Sequence, residues 1–346
     1  MKKLETRSPT VREVAKVAGV GVMTVSRVIN NHPSVRTSTR NRVEEAIVRL
    51  GYRQNEAARL LKGGRAKIIG LIVPDLSDAF FASCAHTVQH LARASGYMTL
   101  VASSERDEEL EVQEAELMAS RQISGLLIVT SVHKGPERLR ALHSPDLPIV
   151  GFDRPIPGLE TDAVLVENRR GAEGAVRHLV EHGHKRIACV GYDSNVYTVH
   201  ERVLGYLDEI RSAGFEANVS LDMVSIDDVR RWVASTMAKP DRPTAIFSLN
   251  HRTSSFLLQA LSEQKVKIPG EIAMVGFDDF ELASVVTPGL TTVSQSPVDL
   301  ARRAMTLLIE RIRRAKDAVQ EPGAKIMLPT QLIVRESCGV HPVVRG

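Results

Sequence analysis

Cysteine is scarce in this sequence: Cys84, Cys189 and Cys338 are the only three in 346 residues, and no two of them stand in a CxxC spacing. That argues against a disulfide framework or a structural zinc site, so the three are expected to be small core residues in a reducing compartment. Aromatic residues make up only 4% of the chain, and the single tryptophan, Trp232, falls in a predicted helix where packing is its expected task. Long apolar runs are missing too, because charges interrupt every hydrophobic stretch before the ~18 residues a membrane span needs. Met1 to Thr10 is polar, with Lys2, Lys3 and Arg7 but no apolar core behind them. Neither a span nor a secretory leader is therefore expected, and the expected compartment is the cytoplasm. The loops GxxxxGKS/T, GxGxxG and GxSxG are absent, which removes the usual sites of phosphate-loop, dinucleotide and serine-hydrolase chemistry.

What is present is ordinary for a globular protein, with 43% apolar and 25% charged residues. A length of 346 residues allows two or three domains. The net charge of +4 conceals a segregation: residues 1–65 carry fourteen Lys and Arg against five acids, or +9, and the remainder carries 31 against 36, or −5. A basic module precedes a mildly acidic body, as expected if the first part meets a polyanion and the second does not.

Within the basic module, Thr10-Val11-Arg12-Glu13 reads as a capping box that starts a helix. Val11, Val14, Ala15 and Ala18 follow at helical spacing, and Gly19 supplies the left-handed stop. After Gly19-Val20-Gly21 a second helix begins at Val22, a link short enough only for an abrupt turn between packed helices. A third helix is expected from about Thr39, with Val43, Ala46, Ile47 and Leu50 on one face and Gly51 as its end. This is helix-turn-helix geometry, in which the second helix leads into the DNA major groove with its N-terminal residues. Val25 and Ile29 are expected to pack inward, leaving Val22, Met23, Ser26 and Arg27 outward. An apolar pair suits a thymine methyl and an arginine fork suits guanine or phosphate; the alternative is an ordinary helical hairpin with Val22 and Met23 in its core.

The stretches TVREVAKVAGVGVMTVSRVIN, TRNRVEEAIVRLGY and NEAARLL resemble the DNA-binding headpiece of the lactose/galactose repressor (LacI/GalR) family almost position by position. The resemblance implies DNA contacts from Thr10, Val22, Met23, Thr24, Ser26, Arg27 and Asn30. It also implies a hinge helix over Asn55 to Leu61, in which Ala58, Arg59, Leu61 and Lys62 meet DNA and Leu61 wedges a minor-groove base step. So short a helix is marginal alone and needs a partner, and without DNA the segment also reads as a flexible linker. Two departures stand out: Gly21 replaces the serine that usually caps the second helix, and Gln54 replaces the proline before Asn55.

From Ala66 onward, apolar runs at Ile68–Val73, Met98–Ala102, Leu126–Val129, Ile149–Phe152, Ile187–Val190, Ala245–Leu249 and Ile272–Phe277 alternate with amphipathic helices. Continuous apolarity implies strands buried on both faces of parallel sheets, and some 280 residues are too many for one core. The resemblance continues through IIGLIVPDLSDAFF, GFDRP, ENRRGA, HLVEHGHKRIA, ERVLGY and GFDDFELASVVTPGLTTV. It implies the periplasmic-binding-protein fold, two subdomains with crossing strands and a ligand in the cleft. Ligands of such sheets bind beyond the strands' carboxyl ends, which selects Asp75, Asp153-Arg154, Asn250-His251 and Asp278-Asp279. By motif the family's effector positions fall on Asp153, Arg202, Asn250 and Asp278, with Phe80 as an apolar wall and Asp75 and Arg154 beside them. His251 stands where the family has aspartate, Glu167 precedes Asn168 where aspartate is usual, and no stacking aromatic stands near Ser225-Ile226-Asp227. A histidine near Arg154 and Arg202 favours an anionic sugar acid over a neutral hexose.

One enzyme pattern occurs, His178-Leu179-Val180-Glu181-His182, an HxxEH with His184 close by. Gly183 ends that helix and no third ligand follows in the sequence, so zinc catalysis is not expected. The expectation is an all-α helix-turn-helix domain over residues 1–54, a hinge and linker over 55–65, and an α/β effector-binding and dimerisation domain of two doubly wound parallel-sheet subdomains over 66–346. Its expected function is that of a transcriptional regulator, a repressor of carbohydrate catabolic genes, with no enzymatic activity, cofactor or metal. Its expected partners are pseudo-palindromic operator DNA on the nucleoid, a sugar or sugar-acid effector, and a second copy as homodimer, with a tetramer as the alternative. The rival is a sugar-binding protein whose basic arm has no regulatory role.

Overall fold

In the computed structural model, residues 9–29, 32–52, 65–132, 137–314 and 323–339 are described. The DNA contacts expected of Asn30, Ala58, Arg59, Leu61 and Lys62 lie outside the described residues. The chain divides into two compact units, residues 1–66 and 67–346.

In the first unit, Thr10 caps α1 (Val11–Ala18): its hydroxyl accepts from the Glu13 amide while the Glu13 carboxylate accepts from the Thr10 backbone. Gly19 takes the left-handed conformation at φ 64°, and the following amides return to the Ala15 and Lys16 carbonyls. α2 (Val22–Ile29) follows at once, and α3 (Thr37–Leu50), beginning two residues before the expected Thr39, ends on left-handed Gly51. Val14, Ala15, Ala18, Val25, Val28, Val43 and Ala46 form the shared core. The inward face of α2 differs from expectation: Val28 is buried with Val25 and Ile29 is only half-buried. The i, i+3 pair is the one that meets α1 and α3 when a helix of eight residues crosses both.

The second unit holds two six-stranded sheets. One is built from β1 (Ile68–Val73), β2 (Met98–Ser103), β3 (Gly125–Ile128), β4 (Ile149–Phe152), β5 (Asp162–Val166) and the late strand β11 (Lys325–Leu328), in the order β11-β5-β4-β3-β1-β2 and wholly parallel. The other contains β6 (Ile187–Val190), β7 (Asn218–Ser220), β8 (Ala245–Ser248), β9 (Ala273–Phe277), β10 (Thr291–Ser294) and β12 (Gln331–Ile333), in the order β12-β10-β9-β8-β6-β7. β12 runs antiparallel beside β10, a departure from the all-parallel expectation. Both faces of each sheet carry helices. On the first sheet, α4 (Ala79–Ala94) and α12 (Pro297–Arg314) cover one face, and α5 (Glu108–Ser120) and α6 (Glu137–Leu142) the other. On the second, α7 (Asn168–Glu181), α8 (Tyr197–Ser212) and the short 3-10 turn η1 (Glu336–Cys338) oppose α9 (Ile226–Met237), α10 (His251–Glu263) and α11 (Glu281–Val285). The chain passes between the lobes three times, from β5 into α7, from β10 into α12 and from β11 into β12.

All seven expected strands are present, but not all are buried on both faces. β2 is an edge strand whose Met98 and Leu100 are exposed. β5, β7, β10, β11 and β12 were not anticipated. β5 opens on buried Asp162, whose carboxylate accepts two hydrogen bonds from Arg311 at 2.7 and 2.9 Å and one from the Ala324 amide. β10 is mostly threonine and serine, and β7, β11 and β12 are short and part-exposed, so none presents an apolar run.

Gly205, inside α8, is where α7 and α8 approach most closely: a Cβ there would collide with the Arg169 carbonyl and meet Ala172 Cβ at 2.9 Å. Gly205→Ala should therefore cost about 1–3 kcal/mol of stability, read as a lower denaturation midpoint with an unchanged slope.

Candidate functional sites: an exposed helix and a buried polar cleft

At the head of α2, Val22 is 46% and Met23 71% exposed. Ser26 and Arg27 are exposed beside them, whereas Thr24 is half-buried. Thr10 is half-buried and its hydroxyl is engaged by the capping box. The helical-hairpin alternative needed Val22 and Met23 in the core, and they are outside it. An apolar pair held outward in a domain whose own core is complete is a contact surface for something else. Gly21 stands before this helix, and its carbonyl accepts from the Thr24 and Val25 amides.

In the second unit, the carboxyl ends of both sheets and three helix N-termini converge on one cleft. β4 and β9 each end in Gly-Phe-Asp, at Gly151-Phe152-Asp153 and Gly276-Phe277-Asp278. Both aspartates adopt left-handed backbone, φ 64° and 70°, and each donates its amide to the neighbouring strand, Asp153 to Val164 and Asp278 to Val293, at 2.9 Å. The lobes thus present two equivalent carboxylates. From the helix starts come Asp78, which caps α4 by accepting from Phe80, Val196 ahead of α8, and Asn250, which caps α10 by accepting from Thr253.

Arg202 ties these parts together. It is 3% exposed, lies 3.7 Å from the Phe277 ring centroid, and donates to Asn168 Oδ1 at 2.8 Å, the Leu249 carbonyl at 2.7 Å and Asp278 Oδ2 at 3.2 Å. Gln295 donates to the other Asp278 oxygen at 2.6 Å, and His251 bridges the lobes, 3.8 Å from Asp278 and 3.7 Å from Asp78. Burial alone would raise the Asp278 carboxyl, but Arg202 and His251 overcome it and hold it at about 2. Asp153, equally buried, is pushed up to about 6, because burial outweighs Arg154 and Arg202 while Asp278 and Asp78 repel its charge. Burial disfavours charge on His251, yet Asp278 and Asp78 raise its pKa above the ordinary imidazole value. Asp78, with less support, is raised by burial.

Phe80, Asp153, Arg154, Arg202, Asn250 and Asp278 all line this cleft. Asp75 does not: it accepts from Ser77 and pairs with Arg106 at 3.2 Å, so it supports a lining residue. Asp279 is taken up by Arg335 and Thr292. Sequence reasoning missed Asp78, Arg106, Arg252 and Gln295 as lining residues. Asp78 could have been found as the start signal of α4 in LSDAFF, and Gln295 directly follows β10, a strand that the sequence did not announce; Arg106 and Arg252 stand further from any strand end. Glu111 was missed as well: it is fully buried on α5, accepts from Thr130 and the Ser131 amide, and burial raises its pKa to about 7.

The polar part of the cleft encloses only about 50 Å³, and beyond Arg154 a second cavity of about 280 Å³ is lined by Val132, Pro155, Pro157, Tyr197 and His200. Around the polar part, Asn250 Nδ2, Arg106 Nε and Arg154 Nε are buried donors without a hydrogen-bond acceptor, and Gln295 Oε1 is an acceptor without a donor. Buried polar atoms left so are costly, and a polar ligand rich in acceptors satisfies them.

Residues 10–55 match the family described as bacterial regulatory proteins, lacI family, and residues 176–338 match the periplasmic binding protein-like domain. The chain is 30% identical over 333 residues to the HTH-type transcriptional regulator DegA of Bacillus subtilis, covering 95% of this chain and 97% of that one. It is 30% identical over 335 residues to the HTH-type transcriptional repressor PurR of Mannheimia succiniciproducens, covering 95% and 98%. Among solved structures, the complex of the transcriptional regulator CelR with cellobiose is similar at a TM-score of 0.68 and 28% identity, covering 95% of this chain and 99% of that one.

A Cβ at Gly21 would meet nothing within 4 Å. Gly21→Ser should therefore fit, add a side-chain cap to α2 and stabilise it by a few tenths of a kcal/mol, seen as slower amide hydrogen exchange along α2 in the intact chain.

Proposed function

Since this chain belongs to the lacI family of bacterial regulatory proteins, which are DNA-binding transcriptional regulators, we propose that it is a repressor that reads its operator through the head of α2 and answers an anionic, polyhydroxylated effector in the cleft. The observation that carries the DNA half is the outward Val22-Met23 pair, with Arg27 one turn on, in a segment of charge +9. Thymine methyls and guanine edges are the features such a trio reads in a major groove. A chain of this kind works on DNA in the cytoplasm; among the described residues no helix is long and apolar enough to cross a membrane. Exposed Met98 and Leu100 on the β2 edge, together with Leu282 and Val285 on α11, support a homodimer, the arrangement that a pseudo-palindromic operator requires.

The effector is a sugar acid. The cleft is lined by Asp78, Asp153 and Asp278 against Arg106, Arg154, Arg202, Arg252 and His251, a positive excess. Three helix N-termini face it and favour an anion, and the unpartnered groups are three donors to one acceptor. The relative CelR is known with cellobiose, which supports a carbohydrate; the charge surplus adds the carboxylate. Genes for carbohydrate breakdown are the targets consistent with such a signal.

A gel shift of the purified chain against palindromes from its own upstream region tests the regulator, with binding expected to exceed that to random duplex by at least ~10³-fold. Only nonspecific affinity at physiological salt would instead favour a sugar-binding protein with an incidental basic arm. Exchanging Val22 and Met23 for other residues should change the preferred bases at one or two positions of each half-site, with about 1–3 kcal/mol of discrimination lost there. Selection from a randomised operator library checks this.

Calorimetry with hexonates and hexuronates against the corresponding neutral sugars tests the effector, and the acids should bind tighter. Their affinity should fall as pH rises, in two steps of the same sign. Asp153 gains negative charge around its pKa of about 6, and His251 loses its positive charge above the ordinary imidazole range. His251→Asn should abolish the upper step and cost roughly tenfold or more in affinity below it, while affinity of the neutral sugars stays flat above pH ~7.

A further inference from the structure

The HxxEH pattern that closes α7 was set aside in the sequence for want of a third ligand, and the fold supplies one. His178 and His182 lie one helical turn apart on the same face, with ring centroids 4.2 Å apart. Cys338, 160 residues from His178, is brought onto that face by η1, fully buried, with Sγ 3.1 Å from His178 Nε2. The ligand atoms of His178, His182 and Cys338 all lie within 4.8 Å of one another, the one such group of three among the described residues.

We propose that His178, His182 and Cys338 bind one zinc ion. Two imidazole nitrogens and one thiolate are a borderline-soft donor set, suited to zinc and unsuited to magnesium or calcium, which take oxygen ligands. At zinc bond lengths of about 2.0 and 2.3 Å, ligand atoms stand roughly 3.3–3.7 Å apart. The His178–Cys338 pair must therefore open by a few tenths of an ångström, and the His182 ligand atom, within 4.8 Å of the other two, must close on them by up to about 1.5 Å. A hydrogen bond accounts for the His178–Cys338 contact by itself, but it does not account for the setting of His182. The His182 ring nitrogen Nδ1 lies 2.7 Å from the His178 carbonyl, and donating there requires Nδ1 to hold the proton and Nε2 the lone pair. That is the arrangement by which backbone carbonyls orient metal-binding histidines.

Burial raises the pKa of the Cys338 thiol, and an ion reverses this: the thiol proton leaves to solvent, one per zinc bound, and the sulfur coordinates as thiolate. The Thr291 hydroxyl lies 3.2 Å from Sγ and donates to the Arg335 carbonyl at 3.1 Å. Three chain ligands leave a fourth position for water, and the sequence continues Cys338-Gly339-Val340-His341, with His341 outside the described residues. Glu181 is exposed, so nothing in the pattern assigns the ion a peptidase's base. Its effect is to fasten η1 to the C-terminal end of α7.

The test uses the full chain, reduced and stripped of metal, titrated with zinc against a chromophoric chelator and separately with cobalt. The proposal expects one zinc equivalent per chain, a thiolate-to-cobalt charge-transfer band in the near ultraviolet, and a melting temperature that rises with zinc. Cys338→Ser should remove the charge-transfer band, and His182→Gln should weaken zinc binding roughly 10–100-fold with both zinc-free proteins folded by circular dichroism. If Cys338→Ser fails to fold, His182→Gln decides, because His182 is only half-buried. Absence of a tightly held equivalent in the wild type would overturn the site. So would full binding in His182→Gln, or loss of binding in His341→Ala alongside retention in Cys338→Ser, since the ion would then lie elsewhere.

Discussion

The buried guanidinium of Arg202 is the interaction on which the effector lobe is organised. A cation with 3% exposure would cost several kcal/mol if left alone, and the fold surrounds it with one compensating group on each side. Asn168 comes from the start of α7, the Leu249 carbonyl from the end of β8, the Asp278 carboxylate from the end of β9, and the Phe277 ring covers the guanidinium face. Three separate chain segments must be in register with α8 before that charge is satisfied. Arg202 can reach them only because α8 lies close against α7, and Gly205, one turn on, is what permits the approach. The sequence ERVLGY thus joins a cleft residue and the packing that delivers it.

The two lobes repeat one topology, with β4 and β9 in equivalent places and the same Gly-Phe-Asp at their ends. Identical backbone does not give identical chemistry. Asp278 has Arg202, His251 and Gln295 around it and stays ionised; Asp153 has Arg154 at 3.5 Å and the field of two other carboxylates, and approaches neutrality near pH 6. Like charges facing one small cleft cannot all be stabilised. The asymmetry lets one aspartate accept hydrogen bonds at all times while its counterpart donates or accepts according to pH.

Helix periodicity and stop glycines made the three helices of the first unit legible; they missed the start of α3 by two residues and placed Ile29 inward where packing buries Val28. Buried parallel strands announced themselves as apolar runs. Strand β5 carries such a run in Ala163–Val166 but opens on Asp162, which is acceptable there only opposite Arg311, nearly 150 residues later; β10, β11 and β12 are short and carry polar residues. Strand-end reasoning found Asp153, Asn250 and Asp278 because that rule follows from sheet geometry. It misplaced Asp75, it missed Gln295 because β10, the strand it follows, is not an apolar run, and it could not find Arg106, which follows no strand end directly. Cys338 beside His178 has the same character, because only the fold brings together two residues 160 positions apart.

The narrowness of the polar cleft bears on how binding can be transmitted. The space left among its polar side chains is small, about 50 Å³. The side chains that would hold a ligand hold one another instead, Arg202 with Asp278, and His251 with Asp78 across the lobes. Entry of an effector must exchange these pairs for ligand contacts and part the lobes, which are joined by three crossings of the chain. An effector can bias only an equilibrium to whose two states it binds unequally. The pairing of His251 with Asp78 across the lobes is a contact that a ligand bound between them would have to compete with. A ligand that replaced that pair would therefore alter the one His–Asp contact that holds the two lobes of the second unit across the cleft among the described residues.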